Sequence, residues 1–478
     1  MRMQASPRVF RTTDAARERP SRKRAPAVSA RREISDRLAD EIAKFTWSRL
    51  PRPVREHVEW SFLNFIGCAV GGSRHDAVER AGQALELSRL PGRSLVIGAK
   101  TRTSPSLAAT LNSIAASIHA FDDTHADSMV HAGSVVGPAV MAVSSRTSSP
   151  LSGRRLLTAF ACGVELMCRL SKAISRPPAR IDLGWSQSGL TGAVACAAAC
   201  STLLGASRDE LRRAIGIAAS LSSGSRVAHG TMTMHLVPAH AAALGVEAAA
   251  LSRNGFTGPP AALEDRHGFL ALFCSNPQLS WLIDGWDRRF EILANNFKAY
   301  PCGIVVHPVI DACLQLHEEV GRSLGDIEEI RVGVSPIAAK LADHADPASE
   351  FEAQVSIQHW AAVALLRGSA GIAEGSQQAL RNADVRRLRS RCVVRSDRDL
   401  PSHAARVQVR TADGETRTCA ISHCKGSTEN PLTREDLISK FLDQASPVLG
   451  KRKAGHALEL CRTLSRIRDV NRLWRQLS

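Results

Sequence analysis

The sequence predicts a mainly α-helical protein: a large all-helical domain drawn from both ends of the chain, with a smaller α+β domain inserted between them. Three observations predict it. Apolar residues recur at three- and four-residue steps through the first 250 or so positions. After about residue 290 the pattern changes to period-two alternation, as in Ile327–Val334 (IEEIRVGV). From Pro431 onward helical patterning returns (LTREDLISKFLDQA, then GHALELCRTLSRI), and this tail is expected to pack back on the first domain.

Taken in order, residues 33–72 carry helical periodicity, marked by Ile34, Leu38, Ile42 and Phe45. Helices are expected at about 76–90, 105–120, 134–146, 151–175, 187–205, 207–222 and 236–254, the last ending at Gly255. The links carry Gly, Pro or Ser. Strands are expected at Ile327–Val334, Cys392–Val394 and Ala405–Arg410, the last followed by the turn signal Ala412-Asp413-Gly414, with helices at 305–320 and 354–367 between them. The expected division is a basic arm at 1–32, a helical domain at 33–292, an α+β domain at 293–420 and a return to the helical domain at 421–478.

At 478 residues the chain is long enough for two or three domains with sizeable cores. Aromatics are scarce, and Ala, Leu, Ser and Gly fill the apolar segments, which suits closely packed helices. The net charge of +16 resembles a nucleic-acid signal until it is mapped. Residues 1–32 hold ten Lys/Arg against two acids and residues 451–478 hold eight against two, so the tails supply 14 of the 16 charges. The rest is nearly neutral and offers no basic recognition helix, which argues against a nucleic-acid partner. Residues 1–32 read as a solvated, disordered arm. A basic scaffold acting through its termini would lose function with that arm, whereas an enzyme would not. The twelve cysteines are scattered without a C-x-x-C, fitting a reducing, cytoplasmic compartment. No secretory h-region is present at the N-terminus. The least charged run, Ser186–Arg208, reads as a buried helix rather than a membrane span.

Phe121–Ser134 (FDDTHADSMVHAGS) is the densest cluster of chemistry. It holds Asp122, Asp123, Asp127, His125, His131, Thr124 and Ser134 between two small-residue, apolar segments. Ionised groups near a core cost free energy unless paired or in use, so the cluster is an active-site candidate. A polar loop whose Asp and Thr cap a helix is the alternative. A second cluster is Asn296–Pro308 (NFKAYPCGIVVHP), with Lys298, the chain's only tyrosine (Tyr300) and His307. Lys298 can hold a carboxylate as a point charge and His307 can exchange protons near neutral pH. A surface lysine and a helix-start histidine are the alternative. Gly184–Gly192 (GWSQSGLTG), with Ser186, Gln187 and Ser188, is a Gly/Ser-rich helix start that favours anions but lacks a nucleotide-binding fingerprint. Gly224–His240 carries Arg226, His229, His235 and His240 at spacings that suit no standard metal site.

In their order these segments resemble the MmgE/PrpD family, which includes 2-methylcitrate dehydratase, cis-aconitate decarboxylase and iminodisuccinate epimerase. The likeness runs from about residue 35 to residue 445. It comprises DDTH with a following H-x-G-S, the G-W…S/T-G…T-G helix start, GTMT, K-x-Y-P-C…H-P-x-I-D (Lys298 to Asp311) and KGSTENPLT (Lys425–Thr433). The resemblance implies an α+β lid over a helical domain, an active site between them, a homodimer, and no metal or organic cofactor. Carried over, Asp123, Thr124 and His131 belong to the helical side of the site and Lys298 and His307 to the lid side.

The implied chemistry is a lyase reaction, proton movement next to a carboxylate of a small di- or tricarboxylic acid. A 2-methylcitrate dehydratase-like hydro-lyase stands foremost, with a decarboxylase or epimerase as alternatives. The resemblance makes His131 and His307 the acid/base candidates, with Asp123 and Thr124 beside them, and pairs Lys298 with a substrate carboxylate. Tyr300, Asp122, His125, Ser186, Gln187, Ser188 and Arg226 complete the expected substrate surface. Three positions depart from the family pattern. Ser186 stands where members usually carry His, Met234 where they carry Lys, and Ala120 where many carry an acid. Either the substrate is a less highly charged acid, with Arg226, His235 or His240 supplying replacement charge, or catalysis is lost on a retained fold.

Overall fold

A computed structural model of the chain describes residues 33–147, 149–320 and 327–478. The expected arm at 1–32 lies outside the described residues. Residues 33–72 form two helices rather than one run, α1 (Glu33–Lys44) and α2 (Arg52–Gly72). Pro51 explains the break: the residue before a proline is driven to extended backbone, and Leu50 is there at φ −70°, ψ 131°. Next come α3 (Asp76–Ala84), α4 (Pro105–Ser117), α5 (Gly133–Ser144), α6 (Gly153–Ser175), α7 (Gln187–Leu204), α8 (Arg208–Leu221) and α9 (Thr233–Arg253). The expected helix 76–90 stops at Ala84 because the chain turns through Glu86 in the left-handed region (φ 52°). After α9 come short helices at Phe269–Phe273 and Leu279–Ile283.

Small residues let these helices approach closely. Where α9 crosses α7, a Cβ on Gly245 would lie 2.3 Å from the Cβ of Cys196, so only glycine fits. Both α7 and α9 are long and apolar enough to cross a bilayer, but they are 89% and 61% buried against protein. The C-terminal helices Arg434–Leu449 and Lys451–Arg462 return to the same core, and Trp474, fully buried, packs on Phe62 with ring centroids 6.4 Å apart. One hydrophobic core thus combines residues 34–292 with 441–477.

A second core runs from Cys302 to Val409. It is built on a four-stranded sheet ordered Thr416–Ile421, Ala405–Thr411, Ile327–Val334, Cys392–Ser396, the last pair parallel and the others antiparallel. Alternation buries Ala405, Val407, Val409 and Thr411 on one face. In Ile327–Val334 a register shift between Ile327 and Glu329 allows Ile327 and Ile330 both to face inward despite their spacing. Thr416–Ile421 is an edge strand whose inward residues are only half-buried, so its sequence carries no strong apolar alternation. Helices His307–Val320 and Ile357–Arg367 join this core, with Trp360 wholly buried. A small third cluster seats Phe351 among Ala77, Val78, Ile114, Ile118 and Ala239, which ties the second core to α3, α4 and α9.

Candidate active site

A two-residue strand pair brings the two richest motifs together. Asp123 and Thr124 lie antiparallel to Phe297 and Asn296, so the residues just outside the pair, Asp122 and Lys298, meet. Lys298 Nζ donates to Asp122 Oδ1 at 2.9 Å and to the carbonyl oxygen of Ala120 at 2.9 Å. Ala120 adopts φ 47°, an uncommon conformation for a non-glycine residue. Asp122 Oδ2 accepts from Ser134 Oγ at 2.6 Å. Burial by itself would raise the Asp122 carboxyl, but the charges of Lys298 and His131 and these hydrogen bonds outweigh it and hold it at about 2.

Asp123 lies in a different field. Both its oxygens face the backbone N–H of Gly133 at 3.0 Å, and Asn295 Nδ2 donates to one of them. Its carboxyl rises to about 6 through burial and the neighbouring Asp122 charge, against the opposing hydrogen bonds. A Cβ on Gly133 would stand 2.5 Å from Asp123 Oδ2. The H-x-G-S spacing therefore has a direct meaning: consecutive residues at the start of α5 hold the two aspartates, Gly133 by its main chain and Ser134 by its hydroxyl.

His131 sits at the open side of this network, its side chain 39% exposed. Its Nδ1 donates to the main-chain oxygen of Asp123 at 2.9 Å. A carbonyl can only accept, so Nδ1 carries the proton and Nε2 keeps a free lone pair. Burial and the Lys298 charge lower the imidazole's pKa from its ordinary value, against the opposing pull of Asp122. At neutral pH the ring is an uncharged base.

The start of α7 completes this side. Ser186 caps the helix by accepting from Gly189 N–H at 3.3 Å. Ser188 Oγ accepts from the main-chain N–H of His131 at 3.1 Å. Gln187 Oε1 accepts from Arg226 Nη2. Main-chain bonds from Ser186 N to Gly224 O (3.0 Å) and from Arg226 N to Gly184 O (2.7 Å) lock this helix start to the Arg226 turn.

The second motif is less open. His307 is fully buried, edge-on to Tyr300 with ring centroids 5.1 Å apart, and backbone hydrogen bonds from Lys425 and Tyr300 act on its ring. Burial and the Lys298 charge push its imidazole down to about 3, so it is neutral. Tyr300 donates its hydroxyl to Asp311, which also accepts from Lys425 N at 2.6 Å. The KGSTEN segment thus braces the motif from beneath.

Comparison with known proteins fits this geometry. The model described as the MmgE/PrpD N-terminal domain matches residues 36–282, and that of the MmgE/PrpD C-terminal domain matches residues 300–465. The chain belongs to the MmgE/PrpD family. Among MmgE/PrpD relatives, it is 27% identical to the cis-aconitate decarboxylase-like protein oryM of Aspergillus oryzae (strain ATCC 42149 / RIB 40), over 92% of this chain and 96% of the relative. It is 27% identical to the cis-aconitate decarboxylase of Homo sapiens (92% and 93% covered) and 25% identical to that of Aspergillus terreus (93% and 96% covered).

Not every residue expected from the MmgE/PrpD pattern faces the open side. His125 is fully buried and turns away: its Nδ1 lies 2.8 Å from Ser128 Oγ and its Nε2 lies 3.4 Å from Glu291. Glu291 also pairs with Lys172 at 2.8 Å, so His125 is drawn into a buried ionic cluster under the loop and does not meet the expected substrate surface. Thr124 is buried in the strand pair. Lys298, expected to meet a substrate carboxylate, spends its charge on Asp122 and is 2% exposed. His235 turns inward to Ser117 Oγ at 3.2 Å, while His229 and His240 are exposed. Among the described residues, no group of three or more His, Cys, Asp or Glu is arranged to hold a metal.

Sequence reasoning missed Lys440, on the returning C-terminal helix. Its Nζ donates to the carbonyl oxygens of Phe121 (2.8 Å) and Lys298 (2.9 Å) and lies 4.1 Å from the Phe121 ring centre. The signal was present: Leu437, Lys440, Phe441, Gln444 and Ala445 share the buried face of that helix, so Lys440 is a charge on an apolar stripe. Asn295 and Gln354 were missed too. Gln354 donates to Ile118 O at 2.7 Å across the two cores, and nothing in the spacing marks it.

Proposed function

We propose that this chain is a lyase that moves a proton next to a carboxylate of a small organic acid, with His131 exchanging that proton through Nε2. The observation that carries the reading is the His131 tautomer: a main-chain oxygen takes the Nδ1 proton and leaves a neutral, half-exposed nitrogen base. In a dehydration Nε2 takes the proton from carbon, the electron pair forms the double bond, and the imidazolium so formed returns that proton to the departing hydroxyl, which leaves as water. In a decarboxylation the C–CO2 bond breaks, CO2 leaves, and the electron pair left on carbon takes a proton that Nε2 has first picked up from solvent. The relatives named as cis-aconitate decarboxylases make decarboxylation the first reaction to assay. The 2-methylcitrate dehydratase-like reaction is the second reading and uses the same imidazole.

His307 is the second acid/base group of the proposal, a neutral buried ring edge-on to Tyr300 in the segment that also carries Lys298. The 293–420 segment is proposed to act as the lid over the His131 side. The protein is further proposed to be a cytoplasmic homodimer. The twelve free cysteines support the compartment. An exposed apolar groove of about 590 Å³, lined in part by Leu85, Leu90, Leu236 and Val237, supports the second copy.

The test is turnover of cis-aconitate, 2-methylcitrate, citrate and simpler unsaturated acids, followed by CO2 release and by the absorbance of conjugated double bonds. The wild type should turn over at least one acid, with His131→Ala reducing kcat by about 10²–10⁴-fold. Turnover that survives intact in His131→Ala would reject the scheme.

A further inference from the structure

Counting the charges at the site leaves one cation unspent. Lys298 is paired with Asp122, and Lys440 is turned onto two carbonyl oxygens and the Phe121 ring. His131 is lowered by burial and by the Lys298 charge, and Arg226 lowers it further, so it is neutral at pH 7. Arg226 is different: half-buried, it pairs with no carboxylate among the described residues. Its Nη2 is spent on Gln187 Oε1, while its Nε is buried without a partner. Gln187 is itself 1% exposed, and its Nε2 donor is likewise unsatisfied. These orphaned donors meet at the start of α7, whose next residue, Ser188, holds the main chain of His131. A desolvated guanidinium without a counter-ion, backed by an unpaired amide and a helix N-terminus, calls for an anion.

With three cations (Lys298, Lys440, Arg226) against two carboxylates (Asp122, Asp123), the site carries a net charge of about +1, which one carboxylate neutralises. Two or three carboxylates would leave unbalanced negative charge beside Asp122 and Asp123. We propose that Arg226, positioned by Gln187, is the carboxylate anchor of this site, and that its substrate presents a single carboxylate there. This rests on the reading of His131 as the proton-transfer residue and names the charge class of acid it acts on.

The experiment is calorimetric binding and turnover with crotonate, maleate and cis-aconitate as mono-, di- and tricarboxylate probes. Wild type, Arg226→Gln, Arg226→Lys, Gln187→Met and His131→Ala are compared. Crotonate should bind at least as tightly as cis-aconitate. Arg226→Gln should weaken it tenfold or more, Arg226→Lys should recover part of the loss, and Gln187→Met should weaken it less than Arg226→Gln. His131→Ala should keep the binding. Cis-aconitate binding tenfold tighter than crotonate, unchanged binding in Arg226→Gln, or no binding of any probe would overturn the proposal. Arg226-dependent binding without turnover would uphold the anchor and reject the lyase reading, so the two fail separately.

Discussion

The imidazole of His131 donates Nδ1–H to the main-chain oxygen of Asp123 at 2.9 Å, while the Asp123 side chain is bound to Gly133 and Asn295. One residue therefore orients the base through its backbone and anchors the helix start through its carboxylate. Burial and the Lys298 charge lower the strength of that base, against the pull of the Asp122 carboxylate 3.8 Å from Nδ1.

The first consequence concerns pH. His131 lies below its ordinary 6.5, so kcat/KM should rise as pH increases through a midpoint below that value and stay level through neutrality. Asp123, which protonates at about 6, adds to the same limb. Because the Arg226 charge lowers His131, Arg226→Gln should move the midpoint to higher pH. A pH–rate profile from 4.5 to 8.5 on wild type and variant checks this, and an unmoved midpoint would assign the limb to Asp123.

Lys298→Met should destabilise the protein by about 3–5 kcal/mol, because it leaves the Asp122 carboxylate buried and uncompensated. The double variant Lys298→Met, Asp122→Asn should recover part of that loss. For Asp122 the sign of the pH effect is set by its lowered value: its stabilisation is full above 3.8 and is lost as pH falls toward about 2. Urea unfolding of the two variants at pH 7 measures the pair.

Gly133→Ala places a methyl group 2.5 Å from Asp123 Oδ2. The carboxylate or α5 must shift, at a cost of about 1–3 kcal/mol. The shift also disturbs the carbonyl that orients His131. Thermal melts should show the loss, and kcat should fall further than the stability change alone explains.

Lys440 is lowered by burial from 10.5 to about 8. Between those values the unfolded chain binds more protons than the folded one, so stability should rise with pH over that window. Lys440→Met removes this contribution. The stability difference, wild type minus variant, should therefore grow between about pH 8 and pH 10.5, and denaturant midpoints at pH 7.5, 9 and 10 give it directly.

Much of the helical architecture was legible because periodicity is local. α4 to α9 begin and end within three residues of the positions read from apolar spacing. The misreadings have local causes as well: Pro51 divides the first run and Glu86 turns the chain early. The strand Thr416–Ile421 went unread because an edge strand need not alternate strongly. The motifs holding Asp122, Asp123, His131 and Lys298 were visible as titratable residues in apolar settings. His125 carried the same signal and turned out to serve a buried ionic cluster.

By itself, then, the sequence determined the fold class, the family and the residue types available for proton transfer, because these depend on composition, spacing and order along the chain. Only the tertiary structure decided how the charges are spent. Lys298 meets Asp122 across 176 residues, and Lys440 reaches Phe121 across 319. His125 and His131, six residues apart, end in different clusters. Electrostatic energy depends on distance and burial in space rather than on separation along the chain. Which histidine stays open to solvent, and which cations pair with carboxylates, was therefore set when the two chain ends and the segment between them packed together.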